Sequence, residues 1–569
     1  MSWKTLRRAL PWLVLAGSFA VLCVFEWRNI TDLLDSDMAS DMIYANLLAK
    51  EGSFFSPNWY YSSELRVFAN HLSFTPLFLL TQDWRLVRGL GSMLTYALFV
   101  LSVYPPLRHT SLKRFYPLMA AAMLLPLSVT YFHYSFVGTF YTHNYILSFW
   151  LLGLTLGQSE AAGRARAWQL GLLAALSVVA GLCGLRFMLF SALPLCLAAL
   201  YLWARAGSAA APRTRRLAWG SLLSLGAMTA GAAVNLLVLS RLYTFQTFTE
   251  VTYTALRPEA PGEFLRNLLI LLGFPESGTL FSPALAAAAL SLLMLALIAW
   301  ACWAALRAPG DAAAFAGDKS PADPTSLAGD PSLSEIGVPS APAADKSPAA
   351  APSAGDPSLS EIGDRVLALF FLGAAVMHIG LLSLTSMPRN MYHFLPVSVY
   401  ALPLAALALI RLPWPKRARA VLAGGMACLL VATSAVNYRY FSRRDITYEL
   451  RMALESVQAE GYDCGYATFW RANVLTELSG GEVEMYCLGG PYDGPEAFDT
   501  IYPWLQLKSH DTRRPAGKVF VLLSSYDGET SLPVFSHLSS SHVIYESPYL
   551  LAYGYESFDD LYDDAGGPD

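Results

Sequence analysis

Eleven apolar stretches, each close to the length that crosses about 30 Å of hydrocarbon, constrain this chain more than any other feature. They fall near residues 9–26, 86–104, 116–132, 144–158, 168–185, 187–204, 218–239, 280–306, 365–384, 392–411 and 419–436. A backbone surrounded by lipid must satisfy its own hydrogen bonds, so such stretches fold as helices. Only 14% of the residues are charged, against about a quarter in a soluble globular chain. The expected fold class is a polytopic α-helical membrane protein with about 11 transmembrane helices. The start "MSWKTLRRALPWLVLAGSFAVLCVFEW" has the basic head and apolar core of a signal peptide. No A-x-A site follows the core, so residues 9–26 are read as a retained first helix.

Charge orients the spans. The connections "RHTSLKRF", "GRARAW", "RAGSAAAPRTRR" and "RLPWPKRARA" all fall on one side of an alternating topology. Lysine and arginine beside helix ends stay in the cytoplasm, which places the N-terminus inside and the C-terminus outside. A formal charge of −4 leaves no basic surface for nucleic acid. The partner expected throughout is the lipid bilayer of a cell membrane, crossed many times.

The chain divides into four regions on this reading. Residues 1–307 form an N-terminal membrane half with a first outer loop at 27–85. Residues 308–364 are rich in Pro, Ala, Ser and Asp and carry "AGDPSLSEIG" twice, at 328–337 and 354–363. Too little apolar surface is present there to offset chain entropy, so a disordered cytoplasmic linker is expected. Residues 365–440 are the C-terminal membrane helices, and 441–569 an extracytoplasmic α+β domain. In that domain "KVFVLLSS" and "HVIYESPYLLAYGY" read as strands, and "DITYELRMALESVQAEG" as an amphipathic helix closed by Gly461. Cys464 and Cys487 either form a disulfide in this outer region or stand as two unrelated buried thiols.

The first outer loop carries a cluster of acids. In "DLLDSDMASDMIYANLLAKEG" the residues Asp35, Asp37 and Asp41 lie within one seven-residue window. A helix starting near Ser36 puts Asp37, Asp41 and Tyr44 on one face and Met38, Met42, Ala45 and Ala49 on another. An acid or Ser36 caps such a helix start, but capping needs one residue and close acids repel. A shared cation, a donor hydroxyl or a shared proton makes the excess tolerable. Asp35 and Asp37 are accordingly also the pair to consider for a divalent cation, Mg or Mn.

Other polar groups on the outer side are thinner on the ground. Arg389, Tyr392 and His393 open the tenth span, where an arginine either snorkels or meets a lipid phosphate. Arg186 sits in a short outer turn, an isolated charge that calls for a partner. Glu64 and Glu250 are offered as that partner or as acceptor-site groups, and His133 and His143 flank the second outer loop. In "YATFWRANVLTELSGGEVEMYC", Trp470, Arg471 and Asn473 suit sugar stacking, while a core tryptophan is the plainer reading of Trp470. No H-x-x-H, C-x-x-C or H-E-x-x-H spacing occurs, and no Walker A or Rossmann glycine pattern. A cytoplasmic nucleotide-sugar enzyme and an ATP-driven pump are therefore disfavoured.

An acid-bearing first outer loop, many spans, an outer C-terminal domain and an R-x-x-Y-x-x-x-P stretch (Arg389, Tyr392, Pro396) together resemble the GT-C superfamily of integral-membrane glycosyltransferases. Protein mannosyltransferases and aminoarabinose transferases are the members most similar in layout. Residues 33–68 are also similar to the loop of a bacterial subgroup of membrane proteins, which names no substrate. The resemblance implies a polyprenyl-phosphate sugar donor and a glycan, lipid or protein acceptor. It implies Asp37 or Asp35 as general base, with Asp41 in support, and Arg389 and Tyr392 against the donor phosphate. The loop reads D-S-D where relatives carry adjacent acids, and the long insert between the halves departs from the pattern. A transporter or flippase of lipid-linked saccharides is the alternative, but it favours repeated halves and mid-membrane charges. A polysaccharide polymerase or ligase would rely on a large late loop with paired arginines, where this chain has a short one.

Overall fold

Long apolar helices dominate the computed structural model, which describes residues 3–63, 65–161, 163–208, 210–246, 251–275, 284–307, 358–387, 390–536, 538 and 542–566. Among the described residues seven helices are long and apolar enough to cross a membrane: Thr5–Asn29, Trp84–Leu107, Gly163–Leu182, Ala211–Leu242, Ala284–Leu306, Leu359–Leu384 and Lys416–Phe441. Met391–Ser398 and Ala401–Arg411, bent by 42°, make an eighth if they count as one span. The chain is a multi-pass membrane protein. Three of the eleven apolar stretches form shorter helices: Tyr116–Met123 followed by Val129–Phe132, then Thr142–Gly157, then Met188–Ala204. Pro126 accounts for the first interruption, since proline cannot donate the helical hydrogen bond.

Sequence reading placed the end of the linker at 364, whereas a helix already begins at Leu359. The second repeat copy itself starts it: Ser358 and Glu361 form a reciprocal capping box. Asp364, read as linker, is fully buried and accepts from Arg411 at 2.5 Å and from Ser111 Oγ at 2.6 Å. The first copy and the rest of 308–357 lie outside the described residues. A helix at Ala260–Leu271 was not foreseen, its twelve residues being too short for a span.

The C-terminal region is a five-stranded sheet in the order 484–487, 464–467, 519–524, 550–555, 543–546. Its first three strands are parallel and the last two pair antiparallel. Val519–Ser524 is buried at every residue, as a central strand with both faces covered must be. The expected helix forms at Tyr448–Ala459, and Gly461 takes the left-handed φ of +80° that ends it. The disulfide does not form. In register Cys464 faces Glu484 and Cys487 faces Ala467, so the two thiols sit at opposite ends of a strand pair, buried and free.

This region is fused to the membrane bundle. One continuous apolar core runs from Leu22 and Phe25 through Met38 to Val474 and Met485. Arg88, buried in the helix Trp84–Leu107, donates to Glu477 at 2.6 Å and to the Met38 carbonyl at 2.8 Å. A small second sheet adds a clamp. Its central strand, Trp59–Tyr61, pairs in parallel with Thr244–Phe245 and antiparallel with Gln506–Leu507.

Candidate functional site

The acid-bearing helix runs from Ser36 to Glu51. Asp35 caps it with extended backbone, its Oδ1 accepting from the Met38 N–H at 2.9 Å. Gly52, at φ +61°, ends it. Three faces then do three things. Met42 and Ala45 pack against Phe74, Phe78 and Trp84. Ser36 donates to the Phe469 carbonyl, and Ser40 Oγ accepts from Asn473 Nδ2 at 2.8 Å, so a second face is sealed by the helix Phe469–Leu478. The third face carries Asp37, Asp41 and Tyr44 into a cavity of about 610 Å³.

That cavity gathers residues from five separate parts of the chain. Beside the three acids it is lined by Arg66, Arg186, Tyr392 and His393, with Tyr134 and Tyr141 from the second loop and Trp470 and Trp504 from the C-terminal region. Burial, then the neighbouring Asp35 and Asp41 carboxyls, push the Asp37 carboxyl up to about 7; Arg66 and His133 pull the other way. Burial raises Asp41 as well, against the pull of a 2.6 Å hydrogen bond donated by Asn70 Nδ2. Asn70 is itself held by Thr139, whose hydroxyl donates to Asn70 Oδ1 at 2.9 Å. His71, on the same wall, is lowered to about 4 by burial and stays neutral.

Asp35 is committed differently. One oxygen caps the helix, and the other lies 3.3 Å from His133 Nε2. Asp37 is the acid left facing the cavity without a cap to make. Among the described residues no group of three or more His, Cys, Asp or Glu converges as a metal cage. Asp35 has both oxygens engaged, and no step below runs through a Mg or Mn ion.

Backbone strain points to the same place. Among the described residues only Thr139 (φ 53°) and Leu505 (φ 49°) are non-glycine residues at positive φ. Leu505 lines the cavity, and Thr139 precedes Phe140, which also does. Such conformations cost about 1–3 kcal/mol each and persist where the surroundings impose them.

Of the remaining sequence candidates, His143 is buried against Phe68 rather than lining the cavity. Arg471 is paired with Glu529 at 2.8 Å and with Asp527, so it serves the C-terminal sheet. Trp470 is not a core residue: it is 65% exposed and forms part of the cavity rim. Asn473 is buried against Ser40. Arg389, Glu64 and Glu250 lie outside the described residues. Tyr392 packs against Tyr134 with ring centroids 4.8 Å apart and planes tilted by 40°, and it receives a 2.6 Å hydrogen bond from Asn390. Arg186 lies over the Tyr141 ring at 5.8 Å and reaches its hydroxyl at 3.4 Å. Sequence reading missed Arg66. Glu64, two residues away in "SSELRVF", kept Arg66 from reading as the kind of isolated charge that singled out Arg186.

No protein-family model matches the chain, and no curated protein matches it significantly. Solved structures do. ArnT from Cupriavidus metallidurans bound to undecaprenyl phosphate matches with a TM-score of 0.50 at 12% identity, over 95% of this chain and 98% of that one. The same protein in the apo state matches with a TM-score of 0.52 at 11% identity, over 99% and 100%. The chain therefore shares its fold with that structure over essentially its whole length.

Proposed function

We propose that the protein transfers a sugar from a polyprenyl-phosphate donor to an acceptor hydroxyl at the outer membrane face, with Asp37 as general base. The observation that carries this reading is the convergence of Asp37 and Asp41 with Arg66, Arg186 and Tyr392 on one cavity. The fold adds support, since the ArnT structure that shares it was solved with undecaprenyl phosphate bound. An acid at about 7 is poised to accept a proton near neutral pH, where general bases work best.

The chemistry then balances as follows. The acceptor oxygen attacks the anomeric carbon while its proton passes to the Asp37 carboxylate. The bond from that carbon to the donor phosphate oxygen breaks, and the lipid phosphate leaves with the electron pair. Arg66 and Arg186 offset the charge that develops on it, and the Tyr392 hydroxyl donates to it. Arg389, three residues before Tyr392 in the R-x-x-Y-x-x-x-P stretch, is assigned to this group from the resemblance alone. Asp41, fixed by Asn70, keeps the proton affinity of Asp37 high. Trp470 and Trp504 offer flat apolar faces on which the acceptor's sugar rings stack. With the acidic cavity outward, as the charge bias of the connections requires, the C-terminal region is extracytoplasmic.

The test is sugar transfer from polyprenyl-phosphate donors in vesicles, comparing wild type with Asp35→Asn, Asp37→Asn and Asp41→Asn. Asp37→Asn is expected to lose about 10²–10⁴-fold in rate, the range for removal of a general base. Full activity in all three variants overturns the catalytic assignment. A wild type inactive toward every such donor overturns the transferase reading itself.

A further inference from the structure

Among the described residues, a second cavity is larger than the acidic one. It measures about 1380 Å³ at the other end of the bundle, beside Arg8 near the start of the helix whose far end leads to Asp35. Six basic side chains line it: Arg8, Lys113, Arg114, Arg411, Lys416 and Arg419. No carboxylate does. The nearest buried acid, Asp364, is already matched by Arg411 at 2.5 Å and by the Ser111 hydroxyl. Toward the membrane the wall turns apolar and aromatic, with Trp12, Leu101, Tyr104 and Trp150 all substantially exposed.

Positive residues belong at this end of the helices for orientation alone, and by itself that bias carries nothing. Two observations go beyond it. The cations line one open pocket together instead of being scattered over separate stretches of surface. The pocket also continues into an apolar, aromatic-lined groove, as a molecule with a charged head and an apolar body requires. Other basic connections at the same end, with Arg164 and Arg215 exposed on them, line none of the described cavities.

We propose that this cavity binds an anionic phospholipid from the adjoining leaflet, headgroup phosphate among Lys113, Arg114 and Lys416 and acyl chains along Trp12 and Leu101. Basic pockets between transmembrane helices are suited to such headgroups. The site is separate from the acidic cavity and needs no assumption about the reaction.

The experiment uses the full-length protein, delipidated in detergent and titrated with phosphatidylglycerol or phosphatidylcholine, bound lipid being counted by native mass spectrometry. Lys113→Gln/Lys416→Gln is compared with the charge-matched Arg164→Gln/Arg215→Gln, and melting temperatures show that both double variants fold. The expected result is a preference for phosphatidylglycerol that survives in the control pair. It should weaken about 25-fold in Lys113→Gln/Lys416→Gln, at roughly fivefold per cation. Equal loss in both pairs means diffuse attraction and overturns the site. So does phosphatidylcholine binding as well as phosphatidylglycerol. Complete displacement by millimolar inorganic phosphate overturns the lipid assignment in favour of a soluble anion.

Discussion

Replacing Asp37 by Asn should make the protein more stable as pH rises above about 4, by an amount that grows until about pH 7 and then levels off. The carboxyl stands at about 7 in the folded chain against an ordinary value of 3.8. The folded state therefore holds this proton more tightly than the unfolded chain does. That advantage is fully present below about pH 4, shrinks as pH rises, and is gone once pH passes about 7. Above that, the ionised carboxylate sits among Asp35, Asp41 and low-dielectric walls. At about 1.4 kcal/mol per pH unit, the gap makes ionised Asp37 a burden of up to roughly 4 kcal/mol. Asparagine has nearly the same shape and no charge to place there. Thermal unfolding of purified wild type and Asp37→Asn between pH 4 and pH 8.5 measures this directly. The variant should melt higher at pH 8, and the two curves should draw together by pH 4.5. A gap of constant size across that range would show that it reflects packing, not ionisation. No gain at pH 8 would mean that the carboxylate is not penalised, removing the reason to regard Asp37 as tuned. A stabilised but inactive variant is the signature of a residue kept for function at a cost in stability.

Four further outcomes follow from the same geometry. The transfer rate of the wild type should fall as pH drops through about 7, because the base must be ionised; a flat profile from pH 5 to 8 contradicts an Asp37 base. Glu477→Gln leaves Arg88 buried without its counter-charge and should lower stability by about 3–5 kcal/mol, read as a drop in melting temperature. Asn70→Ala strips Asp41 of its 2.6 Å donor and should cost about 1–3 kcal/mol; a more readily protonated Asp41 repels the Asp37 carboxylate less, so the acid limb of the rate profile moves to lower pH. Trp470→Ala should leave the melting temperature within the small change expected of a residue 65% exposed; weaker acceptor binding, seen as a raised KM, is the effect it should have.

Much of this was legible before any coordinates. Seven of the eleven span positions, or eight with the bent pair, follow from apolar length among the described residues, and the face of the Ser36–Glu51 helix that carries Asp37, Asp41 and Tyr44 follows from a period of 3.6. What stayed hidden has physical causes. The strands at 464–467 and 484–487 are four residues each, too short for their pattern to separate from the surrounding loops. Trp470 looked like core because tryptophan in a small domain usually is, and only the docking of its helix against Ser36 and Ser40 turns it outward. Arg66 and Asn70 belong to the site through distances that no local pattern encodes. The capping box at Ser358 was readable, but the compositional bias around it directed attention to disorder.

The cavity wall is contributed by residues from Asp35 to Leu505, and this has a consequence for how the protein comes into being. At translation speeds of 5–20 residues per second, the ribosome needs roughly half a minute or more after Asp41 before Trp504 exists. Through that interval the acid-bearing helix lacks the helix that seals Ser36 and Ser40, and Arg88 lacks Glu477. The site is thus finished late in synthesis, when the strand Gln506–Leu507 zips onto Trp59–Tyr61. A nascent chain interrupted earlier leaves an unfinished groove, so the protein carries its own proof of completeness in the order in which its parts are made.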